Sequence, residues 1–91
     1  MIEMSISATA RKLNATQRAF IRKVGRDSLS HGYAVLSAPA MLLLQSPALA
    51  KAMLPRADLY RMEVMSDGTA RAWLTELGQM VLHQVLMNDN R

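Results

Sequence analysis

Apolar side chains recur along this chain in two periods, and the switches between them mark the elements. In "LNATQRAFIRKVGRDSLSHG", Phe20, Ile21 and Val24 fall on one side at helical spacing. Arg18, Arg22 and Arg26 follow each other at i, i+4, i+8 on the opposite side, with Lys23 nearby. Asn14 stands as N-cap, with Gln17 three positions later in capping-box spacing. The helix ends at His31-Gly32, where glycine takes the left-handed C-terminal conformation. Gly25 inside it costs helix stability, so it marks either a packing need or a weak spot. "YAVLS" reads as a short buried strand, and "APAMLLLQ" is apolar enough for a buried helix. "SPALAKAML" starts another helix, with Ser46 as cap and Pro47 at the first helical position. Pro55 stops it.

The period changes to two in "LYRMEVMSDGTARAWL", which predicts a hairpin. A two-residue turn at Asp67-Gly68 pairs Val64 with Arg71 and Glu63 with Ala72, which mixes the faces. A three-residue loop, Ser66-Asp67-Gly68, places Tyr60, Met62 and Val64 opposite Leu74, Ala72 and Ala70 on one core-facing side. The other side then pairs Glu63 with Arg71 as ions and Arg61 with Trp73 as a cation–π contact. This register is the expected one. Thr75 caps a final helix running to about Asn88, with Leu77, Val81, Leu82, Val85 and Leu86 on a broad apolar arc. Met80 and Met87 form a second stripe on its far side. Residues 13–88 thus read as one domain, and residues 1–12 as a flexible amino-terminal arm.

Composition narrows the function classes. With 51% apolar and 20% charged residues, the chain is a folded globule with one modest core. Only four residues are aromatic and eight are Met, so that core is aliphatic and adaptable. There is no Cys, which excludes disulfides, thiolate metal sites and a Cys nucleophile. Neither a membrane-spanning run nor a secretory signal is readable, and the expected location is cytoplasmic. The net charge of +4 invites an anionic partner.

Helix, strand, two short helices meeting at Gln45-Ser46, hairpin and helix is an order that resembles the winged helix-turn-helix domain. The ending "RAWLTELGQMVL" is similar to the Leu-Thr-x-x-Gly step by which the second wing strand of that family enters a last helix. In this chain the step is Leu74, Thr75 and Gly78, with Gly78 allowing the helix close to the strands. The resemblance implies a mostly helical α+β fold, a recognition helix at residues 47–54 and a wing tip at 66–69. It also implies a dimeric DNA-binding regulator. The recognition helix, however, offers base edges only Lys51, with Arg56 just beyond it, beside Ala48 and Ala52. The wing tip carries Asp67, which phosphate repels.

No catalytic constellation is legible. His31 and His83 lie in no metal-ligand spacing, the carboxylates are scattered, and there is neither a phosphate loop nor a nucleophile elbow. The expectation is a non-enzyme without metal or cofactor. Arg18, Arg22, Lys23 and Arg26, joined by Lys51, Arg56 and Arg71, are the residues expected to meet duplex DNA, mainly through phosphate. Trp73, Met80 and Met87 are the expected partner interface, with a homodimer through the last helix. The competing expectation is a protein-interaction module. Small phage- or plasmid-encoded inhibitors of host defence, anti-CRISPR proteins among them, share this size and this lack of catalytic residues.

Overall fold

The structure, a computed structural model, describes residues 2–89, with side chains described from residue 6 to residue 88. The chain order is α1 (Ile2–Lys12), α2 (Ala15–His31), β1 (Ala34–Leu36), α3 (Ala38–Leu43) and α4 (Pro47–Met53). A 3-10 turn (Ala57–Leu59), β2 (Tyr60–Val64), β3 (Ala70–Leu74) and α5 (Glu76–Asp89) follow. The fold is α+β and mostly helical, with one three-stranded antiparallel sheet in the order β1-β3-β2.

Local chemistry sets the element ends. Asn14 Oδ1 accepts from Gln17 N at 2.8 Å while Gln17 Oε1 accepts from Asn14 N at 2.9 Å, a complete capping box. Gly32 ends α2 at φ 85° and donates its N–H to Ser28 O. Ser37 and Ser46 cap α3 and α4 by accepting from Ala40 N and Leu49 N. Thr75 Oγ1 accepts from Gly78 N at 3.1 Å and donates to Asp58 O at 2.7 Å, which ties the start of α5 to the 3-10 turn.

The hairpin has the three-residue loop and the register read from its pattern: Tyr60 opposite Leu74, Met62 opposite Ala72, Val64 opposite Ala70. Met65 and Thr69 close the loop, and Gly68 occupies the left-handed region at φ 89°. Asp67 Oδ1 accepts from the Thr69 hydroxyl and from Thr69 N, so the turn aspartate braces its own loop. β1 pairs with the other edge of β3, Ala34 opposite Ala72 and Leu36 opposite Ala70.

The core lies between the inner sheet face, α2 and α5. Ile21, Val24, Leu59, Val81 and Val85 are its largest fully buried side chains. Each contributes roughly 1.5–3 kcal/mol by area transfer. Alanines at 34, 70 and 72 keep the sheet face shallow, and α2 packs directly on it. Two glycines then set how closely α5 seats. A Cβ on Gly78 would lie 1.8 Å from Leu59 O, so α5 touches backbone of the 3-10 turn there. A Cβ on Gly25 would meet Leu82 Cδ2 at 2.4 Å, which identifies Gly25 as a packing residue.

The structure corrects the sequence reading at several places. Residues 2–12 form a helix packed along α5, where an arm was expected. Ile6, Thr9, Ala10 and Leu13 recur at helical spacing, and the small Thr and Ala disguise that stripe. α3 buries none of its residues; at six residues it is too short to wrap two faces. Val64 faces the expected side yet is 65% exposed, because it lies at the turn end of edge strand β2, beyond the cover of α2 and α5. Leu86 is also exposed, about 100° round the helix from the buried Val85 and further still from Val81. Arg71 lies over the Tyr33 ring, 4.6 Å from its centroid, and this is the cation–π contact among the described residues rather than Arg61 with Trp73. Glu63 and Arg71 are register partners without an ion pair within 4 Å.

Candidate interaction surfaces

The basic residues divide into paired and unpaired sets. Lys23 Nζ lies 3.1 Å from Asp27 and Arg26 Nε 3.6 Å, so the last turns of the α2 stripe share one carboxylate. The Lys23 hydrogen bond first, and then the charges of Lys23 and Arg26, hold the Asp27 carboxyl below its ordinary value. Arg56 is bound by Asp58 through two nitrogens, and its third donates to Thr9 Oγ1 at 3.1 Å. Arg22 lies exposed on the same stripe, between Arg18 and Arg26.

The cations without a carboxylate partner lie elsewhere. Arg18 donates Nη1 to Leu13 O at 2.5 Å and has no carboxylate partner among the described residues. Lys12 stands beside it at the α1–α2 joint and lines a cleft of about 340 Å³ with Thr9, Gln17 and Arg56. Lys51 is drawn to the same end of the molecule. Gln17 Nε2 donates to Lys51 O and Leu54 O, while Asn14 Nδ2 donates to Ala52 O. The amino end of α2 therefore clasps the carboxyl end of α4 and brings Lys12, Arg18 and Lys51 toward one edge. Sequence reasoning missed Lys12 because it read residues 1–12 as an arm; Arg11 and Lys12 in the last turn of a helix were the signal. Arg71 stays apart, on the outer sheet face.

The α3–α4 pair presents a different surface. Leu42, Leu43, Leu49 and Val64 are all exposed, and neither helix buries a residue. Met41, Leu42 and Val64 wall a groove of about 430 Å³ between α3 and the hairpin. The hairpin turn leans on this helix, since a Cβ on Gly68 would sit 3.6 Å from Ala38 Cβ. The exposed positions of α4 are Pro47, Ala48, Leu49, Lys51 and Ala52, so Lys51 is its only charge.

The third surface follows α5. Met80 and Met87 are 43% and 54% exposed, with α1 alongside: Ile6 and Met80 share a shallow groove. Trp73 is half-buried and points into a larger cleft between α2, β3 and α5. His31 and His83 are both exposed, and no group of three His, Asp or Glu able to hold a metal occurs among the described residues. No described helix is long and apolar enough to cross a membrane. Comparison with known protein families, curated proteins and solved structures found no match.

Proposed function

We propose that this chain is a winged-helix-like scaffold that works as a protein-interaction module, with the α3–α4 face as its binding surface. The observation that carries this reading is the exposure of Leu42, Leu43 and Leu49 on helices that bury nothing of their own. A surface reading bases in the major groove needs amide and guanidinium donors, because sequence is distinguished through hydrogen bonds to base edges. This face offers leucines, alanines and Lys51. Apolar surface ringed by few charges is instead the composition of a protein–protein interface core. The complementary partner presents aliphatic or aromatic side chains with an acidic group opposite Lys51. Inhibitors of host defence are one class of protein that works by such occlusion alone.

Duplex DNA remains the second reading, favoured by Lys12, Arg18 and Lys51 converging on one edge of a chain of net charge +4. Contacts there would be to phosphate, giving affinity that falls steeply with salt and little preference among sequences.

A photo-crosslinking residue at position 42 or 49, in cells producing the protein, separates the two. The expected result is one defined protein adduct from both positions and none from position 63 on the outer sheet face. The opposite result is random duplex bound at low salt, kept by Leu42→Glu with Leu49→Glu, and lost by Arg18→Ala with Arg22→Ala and Arg26→Ala. That outcome, with no protein adduct, would replace the first reading by the second.

A further inference from the structure

β2 is an edge of the sheet, and the phase of its hydrogen bonds follows from the turn. Met65 N donates to Thr69 O, so the next hydrogen-bonded pairs of the hairpin are Glu63 with Arg71 and Arg61 with Trp73. Tyr60, Met62 and Val64 therefore turn their N–H and C=O groups away from β3, toward the outer edge. Of the described elements, only β3 and the adjoining 3-10 turn pack substantially on this strand. β1, at the other edge, is three residues long and turns only Val35 outward, because Ala34 and Leu36 bond to β3.

The charges of this strand are also unmet. Arg61 and Glu63 are its only charged residues, and both are exposed. Neither has an oppositely charged group within 4 Å among the described residues. Arg71, the register partner of Glu63, lies over the Tyr33 ring instead. Edges guarded against pairing carry a proline, a bulge or repelling charges. β2 has neither proline nor bulge, and its two charges are of opposite sign.

We propose that a second copy of this chain pairs along β2, antiparallel about a two-fold axis at Met62, joining the two sheets into one. In this register Met62 meets Met62 and Tyr60 meets Val64, so every outward backbone group finds a partner. The same register sets Arg61 of each copy directly opposite Glu63 of the other. The nearest registers that keep the hydrogen-bond phase centre on residue 61 or 63, and set Arg61 against Arg61 or Glu63 against Glu63. One alignment alone satisfies both backbone and charge. The strand that this edge accepts thus carries Glu and Arg in the order that β2 itself supplies, which is the self-complementarity of an isologous contact. Val64, 65% exposed in one copy, then lies beside Tyr60 of the other. The expected dimer moves from α5 to the sheet edge.

One strand a side is small beside the roughly 1,200–2,000 Å² of a standard interface, so a weak dimer is expected. Sedimentation equilibrium up to about 1 mM reads it, with circular dichroism to confirm folding. Arg61→Glu and Glu63→Arg should each weaken the dimer roughly tenfold or more, because both cross-strand pairs become repulsive. Mixing these two variants should restore it as a heterodimer, and the double reversal should restore it as a homodimer. Both positions are exposed, so the replacements leave the fold in place. Met80→Glu with Met87→Glu should leave the dimer intact. A photo-crosslinking residue at position 63 removes Glu63 itself, and with it both ion pairs, so that position stays silent. A wild type that remains monomeric over the whole range overturns the proposal. A dimer indifferent to either reversal, a mixture that fails to restore it, or its loss in the Met80 and Met87 variant overturns it equally.

Discussion

The α2–α5–sheet layer and the α3–α4 pair use the same aliphatic alphabet and are held by different forces. In the first, Ile21, Val24, Leu59, Val81 and Val85 lose all contact with water, and two glycines let the backbones close around them. In the second, Leu42, Leu43 and Leu49 stay in water, and the helices are fixed by polar devices at their ends. Ser37 and Ser46 cap them, and Gln17 and Asn14 hold the last carbonyls of α4. A leucine buried in a core is needed by the fold, whereas a leucine held outward by hydrogen bonds is available to something else. Stability thus rests on the first region, and the proposed recognition on the second.

The sharpest way to break this division is to wedge the core open. Gly78→Ala would force a methyl into the Leu59 carbonyl, which cannot swing away, and should cost about 3 kcal/mol or more. Gly25→Ala meets only the tip of Leu82 and recovers about 1 kcal/mol of helix propensity, so its net effect should be small. Thermal melts of the two variants that coincide would show that α5 is not seated on that carbonyl.

Truncating side chains tests the two regions directly. Ile21→Ala should destabilise by about 2–5 kcal/mol. Leu42→Ala should stay within about 0.5 kcal/mol, as exposed substitutions do. Equal losses in urea unfolding would mean that α3 is packed after all, and the interface reading would lose its basis. Gln17→Ala removes half of the capping box and both bonds to α4, and should cost about 1–2 kcal/mol. Its signature is selective: hydrogen exchange should quicken in α4 well before the core amides. Uniform quickening would place Gln17 in the global fold instead.

The smallest effect concerns acid. Lys23 and Arg26 hold the Asp27 carboxyl below 3.8, and the Thr69 hydrogen bonds hold Asp67 below it too. A depressed folded value means that the stabilisation is present above about 4 and is lost as pH falls through the folded value. Asp27→Asn should therefore flatten the acid limb of the stability curve slightly, and salt should shrink the difference because Lys23 and Arg26 on the other side of the pair are exposed. An unchanged acid limb would show that the α2 stripe does not draw on Asp27.

Legibility followed the kind of force at work. The hairpin register could be read because one alignment alone separates apolar from polar positions, and the capping box because its two residues are local. Gly78 was readable as a close approach, although its neighbour is the carbonyl of Leu59 in the 3-10 turn rather than a strand. The α1 helix was missed because its buried stripe is written partly in Thr and Ala, whose burial depends on α5 being there. The exposure of α3 was missed because hydrophobicity alone does not say whether a surface is met by this chain or by another. Trp73 was expected on the outward sheet face, and only tertiary structure shows that α2 and α5 flank it there.

The strand order carries a consequence for how the molecule is assembled. β3 is the middle strand, yet it is the last of the three along the chain. The hairpin and α5 are neighbours in sequence and form through short loop closures, while β1 must wait for a partner from the far side of α3, α4 and the 3-10 turn. A nascent chain thus leaves Ala34 and Leu36 without strand partners until Ala70 and Ala72 have been made, so β1 pairing carries the longest loop closure in the sheet.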